Sequence, residues 1–140
     1  MCLKVLIVNC ICAYAPQTGR SAEEKDSFWD QMISVTGSIP ASEVIVVGGA
    51  LNGLVGTNVD GYDGVHGGYG FGERKADGEW ILEFCDAMEL IVMNNCFRRQ
   101  KNKLATYVSG GTVSAIDYLL LRRCDRRYIK KAQSLLEKSV

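Results

Sequence analysis

The sequence has a single histidine, and its six cysteines include no C-x-x-C pair. Structural zinc sites draw on cysteine and histidine at close spacing, so this scarcity argues against a zinc-binding domain. The apolar segment Met1–Ala13 contains Lys4 and Asn9 and runs into a turn, which is not the pattern of a secretory leader. We therefore expect an intracellular protein with reduced thiols, without a disulfide framework.

Net charge and long apolar runs are also missing. Sixteen basic and sixteen acidic residues cancel, so the overall charge predicts no partner by itself. No run reaches the ~18 apolar residues that a membrane-spanning helix needs, so we expect no membrane partner. The composition is nevertheless globular, because 47% of the 140 residues are hydrophobic, which is enough for one domain with a buried core.

Two strands and a capped helix are predicted near the start of the chain. Leu3–Tyr14 has apolar residues on both faces, so we expect a central strand. Ser21 and Glu24 form a capping box that begins a helix, and Gly37 is expected to end it. Glu43–Val47, a short apolar run before a Gly-Gly break, predicts a second buried strand. The apolar face of the helix is formed by Phe28, Trp29, Met32 and Ile33.

A glycine-rich loop and a second helix follow. No Gly-Lys-Ser/Thr follows the loop Val55–Gly78, which excludes a Walker A motif and favours a wide surface loop. Asp77 is expected to cap the second helix. Leu90–Met93 predicts another short buried strand. The apolar face of the second helix consists of Ile81, Phe84, Cys85 and Met88.

A hairpin and a basic segment are predicted in the last third of the chain. Ala105–Ser109 and Thr112–Leu121 flank Gly110-Gly111, which is typical of a β-hairpin. Asp117 shares a strand face with apolar residues, so we expect a buried carboxylate that needs a partner; a strand-end aspartate that reaches solvent is the alternative. Arg122–Lys131 holds six bases and one acid, which favours a solvated surface, with a phosphate-facing patch as the alternative.

Four motifs in order and at sensible spacing carry a resemblance to a known family. They are Tyr14-Ala15-Pro16-Gln17-Thr18-Gly19-Arg20, Gly49-Ala50-Leu51-Asn52, His66-Gly67 with Gly78 and Ile81–Phe84, and Thr106-Tyr107 with Ser114–Tyr118. This set resembles the endonuclease/exonuclease/phosphatase superfamily, whose apurinic/apyrimidinic endonucleases carry Y-x-P-x-x-G-R, G-D-[LF]-N and S-x-I-D-[YF]. As a whole it is similar to the endonuclease domain of non-LTR retrotransposons and to the craniofacial development protein 2 family, whose endonuclease-like region derives from such an element.

The resemblance implies a fold, a reaction and partners. The fold is α/β, a four-layer α/β sandwich of the DNase I-like type, here expected to be partial because the first and last strands are lacking. The reaction is hydrolysis of a DNA phosphodiester with a divalent cation, usually magnesium. We expect residues 1–127 to form a truncated endonuclease-like domain and residues 128–140 a C-terminal tail. DNA as a partner and a nuclear location follow from the family, and self-association follows from exposed sheet edges.

The resemblance also assigns roles to particular residues. Tyr14 matches the tyrosine that contacts the scissile phosphate, and Asn52 matches the asparagine that orients the phosphate and the water. Asp117 matches the aspartate that orients the catalytic histidine. Arg20 matches an arginine on the DNA backbone, and Thr106-Tyr107 are expected to contact nucleic acid. The structural alternatives are a strand-end aromatic, a turn asparagine and a surface charge.

The sequence departs from the family where catalysis is most demanding. Ala50 stands at the position of the aspartate that helps to activate water, and the metal-binding glutamate and catalytic histidine of the family have no counterpart; His66 does not match that position. Phosphodiester hydrolysis needs an activated water, charge stabilisation and geometry together. We therefore expect no protein-held metal, poor magnesium binding and impaired or absent catalysis. The alternatives are a non-catalytic nucleic-acid- or protein-binding module and a magnesium-dependent phosphatase.

Overall fold

A computed structural model of the chain describes residues 5–68, 72–96, 107–109, 112–114 and 117–128. The described elements, in chain order, are β1 (Val8–Tyr14), α1 (Ala22–Gly37), β2 (Val44–Ala50), α2 (Ala76–Ala87), β3 (Leu90–Val92), β4 (Tyr107–Ser109), β5 (Thr112–Ser114) and β6 (Asp117–Arg122). Short 3-10 segments follow β3 at Met93–Asn95 and β6 at Arg123–Tyr128. None of the helices in these ranges is both long enough and apolar enough to cross a bilayer.

Four of the strands form one mixed sheet in the order β1-β2-β6-β3. β1 and β2 are parallel, which requires a long crossover, and α1 supplies it. β6 is antiparallel to both of its neighbours. β4 and β5 pair antiparallel in a separate two-stranded sheet, which confirms the predicted hairpin. The α/β class is thus confirmed, whereas the four-layer DNase I-like arrangement stays a prediction.

Both helices pack on the same face of the four-stranded sheet. Trp29 of α1 meets Phe84 of α2 with ring centroids 5.2 Å apart, so the two helices also contact each other. Burying each such large apolar side chain stabilises the fold by roughly 1.5–3 kcal/mol. Because most of the buried apolar residues lie in this layer, it is the main core. Its strand residues are Ile45 and Val47 of β2, Tyr118 and Leu120 of β6, and Leu90 and Val92 of β3.

The bounds of α1 agree with the prediction from the sequence. The side chain of Ser21 accepts a hydrogen bond from the backbone N–H of Glu24 at 3.2 Å, which confirms Ser21 as the cap. The described contact of the Glu24 carboxylate is with Arg20, so only this half of the predicted capping box is confirmed. The helix ends at Gly37, as predicted. Its buried face is narrower than the predicted one, because Trp29 and Met32 are buried while Ile33 is 40% exposed.

The start of α2 differs from the prediction. Lys75 is the N-cap residue and makes no side-chain capping bond, whereas Asp77 lies inside the first turn. The Asp77 carboxylate instead pairs with Lys25 of α1 at 2.9 Å. The prediction that Asp77 caps α2 is therefore wrong, because its side chain serves a contact between helices that the local sequence does not reveal. The predicted apolar face of α2 is confirmed, with Ile81, Phe84 and Cys85 buried.

The position of β1 also differs from the prediction. Among the described strands β1 lies at an edge of the sheet and pairs only with β2, so the expectation of a central strand is wrong. Its residues alternate between half-buried and exposed, because the helices cover only one face; Val8 is 47% exposed. On that uncovered face a small second cluster comprises Val44, Ile91, Met93 and Leu121. Self-association through the β1 edge stays a prediction.

Candidate functional site

Three residues from distant parts of the chain lie side by side at one end of the sheet. Tyr14, the last residue of β1, pairs with Ala50, the last residue of β2. Ala50 in turn pairs with Asp117, the first residue of β6. Neighbouring strands lie about 4.8 Å apart, so the backbones of Tyr14 and Asp117 are separated by about 10 Å with Ala50 between them. We call this end of the sheet, with the turn that follows β2, the Asp117 end.

The three side chains share the sheet face that the helices leave uncovered. Residues in register on adjacent strands project to the same face, and side chains alternate along each strand. Tyr14 is 69% exposed, Asp117 is exposed, and Ala50 is half-buried between them. A ligand that approaches this face therefore meets a phenol, a methyl group and a carboxylate in a row.

Asp117 corrects one expectation from the sequence. The pattern of its strand predicts a carboxylate buried among apolar residues, but Asp117 is exposed, as the strand-end alternative holds. The physical reason is its place as the first residue of β6: the apolar residues that share its face, such as Leu121, lie deeper along the strand. The predicted strand Thr112–Leu121 is in fact two strands, β5 and β6, that belong to different sheets.

Asn52 lies on the turn that leaves β2, next to this row. Its backbone is left-handed, with φ at 50°, a conformation in which asparagine is enriched. Its Nδ2 donates to the carbonyl of Ala15 at 2.6 Å, and the N–H of Ala15 donates to the carbonyl of Ala50 at 2.9 Å. These two bonds tie the exit of β1 to the exit of β2. Within the described ranges no group donates to the Oδ1 atom of Asn52.

Two residues beside this site are not among the predicted site residues. The Asn94 side chain donates to the carbonyl of Asp117 at 3.2 Å and accepts from the N–H of Leu119 at 2.8 Å. The Tyr118 hydroxyl donates to the carbonyl of Gly53 at 2.7 Å and accepts from the N–H of Val55 at 3.2 Å. The sequence signal for Asn94 is an amide that directly follows an apolar run. For Tyr118 it is only its place after Asp117.

The structure describes only some of the residues that are predicted to contact nucleic acid. Arg20 closes the turn after β1, with its N–H bonded to the carbonyl of Gln17 at 2.9 Å. Its guanidinium lies 3.8 Å from Glu24, and both side chains are largely exposed, so this pair holds it weakly. Thr106 lies outside the described residues. Tyr107 begins β4, in the separate two-stranded sheet, and its side chain is not among the described ones.

The basic segment lies at the opposite end of β6. Arg122 ends the strand that Asp117 begins, about 17 Å away for five residues of extended chain. Its guanidinium donates to the carbonyls of Ile39, Pro40 and Glu43 at 2.7–3.0 Å. This arginine therefore fixes the loop before β2. It does not extend the Asp117 end with positive charge.

His66 lies inside the glycine-rich loop and is only 2% exposed. Its Nε2 is 2.7 Å from the carbonyl of Gly56, and its Nδ1 accepts from the N–H of Gly68 at 3.0 Å. Burial lowers the pKa of His66 below its usual 6.5. A neutral ring with the proton on Nε2 satisfies both contacts, so His66 cross-links the loop.

The donors at the Asp117 end do not suit a magnesium ion. Proteins hold magnesium through one or two carboxylates together with phosphate oxygens. Asp117 supplies one carboxylate, and Ala50 supplies none. In the parts of the chain that the structure describes, no group of three or more His, Cys, Asp or Glu side chains could hold a metal ion. With one carboxylate in the row, these residues do not form a magnesium site on their own, and poor magnesium binding stays a prediction.

The fold and this row of residues define a mixed α/β protein with a candidate site at its strand ends. Comparison with known proteins adds a more particular similarity. The chain is 26% identical over 123 residues to craniofacial development protein 2 of Bos taurus, covering 86% of the chain and 20% of that protein. It is 25% identical to craniofacial development protein 2 of Tragulus javanicus, covering 86% of the chain and 21% of that protein.

These two similarities support the predicted resemblance to craniofacial development protein 2, whereas the wider resemblance to retrotransposon endonucleases stays a prediction. The chain spans about one fifth of the length of these curated relatives. No protein-family model matches the chain, and no solved structure matches it.

Proposed function

We propose that the chain is an endonuclease-like domain of retrotransposon lineage that binds nucleic acid and cleaves it poorly or not at all. One observation carries the proposal. Tyr14, Asn52 and Asp117 belong to three motifs spread over about a hundred residues, and the register of β1, β2 and β6 brings them to one sheet end. Residues needed only for packing have no reason to converge on an exposed edge.

The chemistry of this end suits a phosphate group. The Tyr14 phenol is an exposed hydrogen-bond donor, and the Asn52 amide lies on the adjoining turn. Arg20 follows the same β1 exit and can contribute a positive charge to a phosphate backbone. The Asp117 carboxylate accepts hydrogen bonds and can orient a donor near the phosphate. A phosphodiester laid across Ala50 would meet these groups on both sides.

The same row explains why cleavage is expected to be poor. The methyl group of Ala50 occupies the centre of the row and accepts no proton. General-base assistance contributes roughly 10²–10⁴-fold to a rate. Groups that act as a unit are not additive, so the absence of this member removes most of the benefit of the others. The second candidate function is a module that only binds nucleic acid and has no residual cleavage. Ala50 is the observation that favours it.

The first test is nicking of supercoiled and abasic-site DNA in magnesium, alongside duplex binding by fluorescence anisotropy. Asn52→Ala is the matched variant for both assays, and a soluble phosphate ester tests the phosphatase alternative. We expect duplex binding that Asn52→Ala weakens, and nicking no faster than that variant gives. Nicking that Asn52→Ala abolishes would overturn the expected loss of catalysis. An absence of both nicking and duplex binding would overturn the proposal itself.

A further inference from the structure

Asn52 has a left-handed backbone, which asparagine adopts more readily than most residues with a Cβ but still as a minority conformation. The residues on either side of Asn52 therefore decide whether the turn keeps this conformation. On its N-terminal side, Leu51 is 2% exposed and anchored in the core. On its C-terminal side, Gly53 packs so closely on α2 that an added Cβ would lie 2.6 Å from the Asp77 backbone. The turn is therefore fixed from both flanks.

The Tyr118 hydroxyl supplies the hydrogen bonds on the second flank. It donates to the carbonyl of Gly53 and accepts from the N–H of Val55, so one phenol closes the turn directly after Asn52. The side chain is buried, with the residue 4% exposed, and burial raises the pKa of Tyr118, so the hydroxyl keeps its proton. Two backbone groups that water reaches poorly depend on this single oxygen.

The backbone that carries Tyr118 is itself fixed. Asn94 bonds the carbonyl of Asp117 and the N–H of Leu119, the two residues that flank Tyr118. A continuous chain of hydrogen bonds thus runs from Asn94 through the start of β6 to the turn of Asn52. Asp117 and Asn52, which are 65 positions apart in the sequence, are placed by the same segment.

We infer that Tyr118 is a positioning residue for Asn52: its hydroxyl holds the turn that places the Asn52 amide against the carbonyl of Ala15 at the exit of β1. Phenylalanine would fill the same space and keep the ring contacts, but it would leave the carbonyl of Gly53 and the N–H of Val55 without this partner. The expected loss of nucleic-acid binding in a Tyr118 variant rests on the proposed function. The placement of the Asn52 amide by Tyr118 is independent of the proposed function.

The test compares Tyr118→Phe with Tyr62→Phe. Tyr62 is the matched control, because it lies in the glycine-rich loop away from Asn52. Its hydroxyl donates to Glu79 of α2 at 2.8 Å. The readout is the side-chain amide signal of Asn52 in a ¹H–¹⁵N spectrum, identified by its loss in Asn52→Ala. We expect Tyr118→Phe to shift or broaden this signal and Tyr62→Phe to leave it in place. An unchanged Asn52 signal in folded Tyr118→Phe would overturn the inference.

A second variant covers the case in which Tyr118→Phe does not fold. Asn94→Ala removes the bonds that hold the backbone on both sides of Tyr118 and leaves the Asn52 amide in the chain. We expect Asn94→Ala to shift or broaden the same Asn52 signal, and an unchanged signal in the folded variant contradicts the inference.

Duplex binding separates the inference from the proposed function. If the chain binds DNA through Asn52, Tyr118→Phe and Asn52→Ala weaken binding by similar factors, and their combination weakens it no further. If the wild-type chain binds no DNA, the proposed function fails, while the amide signal still decides the role of Tyr118. Binding that only Asn52→Ala weakens, in a folded Tyr118→Phe variant, would again count against the inference.

Discussion

The two ends of β6 offer nearly opposite chemistry on one short strand. At the Asp117 end, the described side chains are a phenol, two amides and one carboxylate, and they lie around a methyl group. At the other end Arg122 is followed by a 3-10 segment with two further arginines in its last turn. The basic end has more charge, but the motif residues converge on the end with less.

The number of positive charges at an end of β6 is therefore different from the number that can contact a ligand. The Arg122 guanidinium donates to three backbone carbonyls of the loop before β2, and it stabilises the fold through those bonds. Arg20 has only a weak exposed partner and lies beside the exit of β1. Arg20 lies next to a phosphate-sized row of polar groups, whereas Arg122 is committed to the fold, so Arg20 is the better candidate of the two for ligand contact.

The largest effect is expected at the basic end. Arg122→Ala removes hydrogen bonds from a charged donor to three carbonyls, so we expect the free energy of unfolding to fall by about 2–4 kcal/mol. Urea denaturation followed by circular dichroism measures this decrease. Arg126→Ala, an exposed arginine of the following segment, is the control and is expected to stay within about 0.5 kcal/mol of wild type. Equal decreases in both variants would remove the distinction between committed and available arginines.

A smaller decrease in stability is expected at the contact between α1 and α2. Lys25 pairs with Asp77 at 2.9 Å, with both side chains mostly buried, and its Nζ also donates to the carbonyl of Thr18 at 2.9 Å. Lys25→Met leaves the Asp77 carboxylate unpaired, so we expect the free energy of unfolding to fall by about 1–2 kcal/mol. Hydrogen exchange of the Arg20 amide, which closes the adjacent turn, should speed up. The exposed Lys75→Met is the control, and faster exchange in it as well would contradict a specific role.

The glycine-rich loop connects the two ends, and its stability should depend on pH. It begins at Val55, which Tyr118 holds, and Gly64 packs on the Arg123 guanidinium, where an added Cβ would lie 2.9 Å from Cζ. Burial, with a smaller contribution from the Arg74 charge, lowers the pKa of His66 below 6.5. The unfolded chain therefore binds a proton that the folded chain excludes. Stability is full above about pH 6.5 and falls below it, by at most about 1.4 kcal/mol per pH unit.

Urea denaturation at about pH 7.5 and about pH 5.5 checks this dependence. His66→Gln removes the titrating ring and is the reference for all other groups. We expect the difference between wild type and His66→Gln to shrink at the lower pH. A difference that stays constant between the two conditions would show that His66 does not carry the effect.

The parts of the fold that local sequence determines were predictable. The cap at Ser21 and the apolar face of α2 depend on residues within a turn or two, and both are confirmed. The edge position of β1, the split between β5 and β6 and the exposure of Asp117 depend on which strands pair, which is a non-local choice. The motifs named three residues that the structure brings to one sheet end, and the roles of these residues stay predictions. The motifs could not reveal that Tyr118 closes the turn of Asn52, because that contact spans 63 positions.

The smallest expected effect is on the salt dependence of duplex binding, and it tests the comparison of the two ends most directly. The slope of log K against log salt becomes shallower by about 0.9 for each phosphate interaction that a variant removes. We therefore expect Arg20→Ala to reduce the slope by about one, because its guanidinium lies free of strong partners at the Asp117 end. Arg126→Ala at the basic end is the matched control and should leave the slope unchanged.

Anisotropy titrations of one labelled duplex at several salt concentrations measure both slopes. The reverse result, with the slope reduced by Arg126→Ala only, would place the nucleic acid at the basic end and separate binding from the motif residues altogether. A wild-type slope near zero would mean that phosphate interactions contribute little to binding. Neither outcome is compatible with a duplex that lies across Tyr14, Ala50 and Asp117. Binding at that row depends on the phosphates of the DNA and on the positive charge of the neighbouring Arg20.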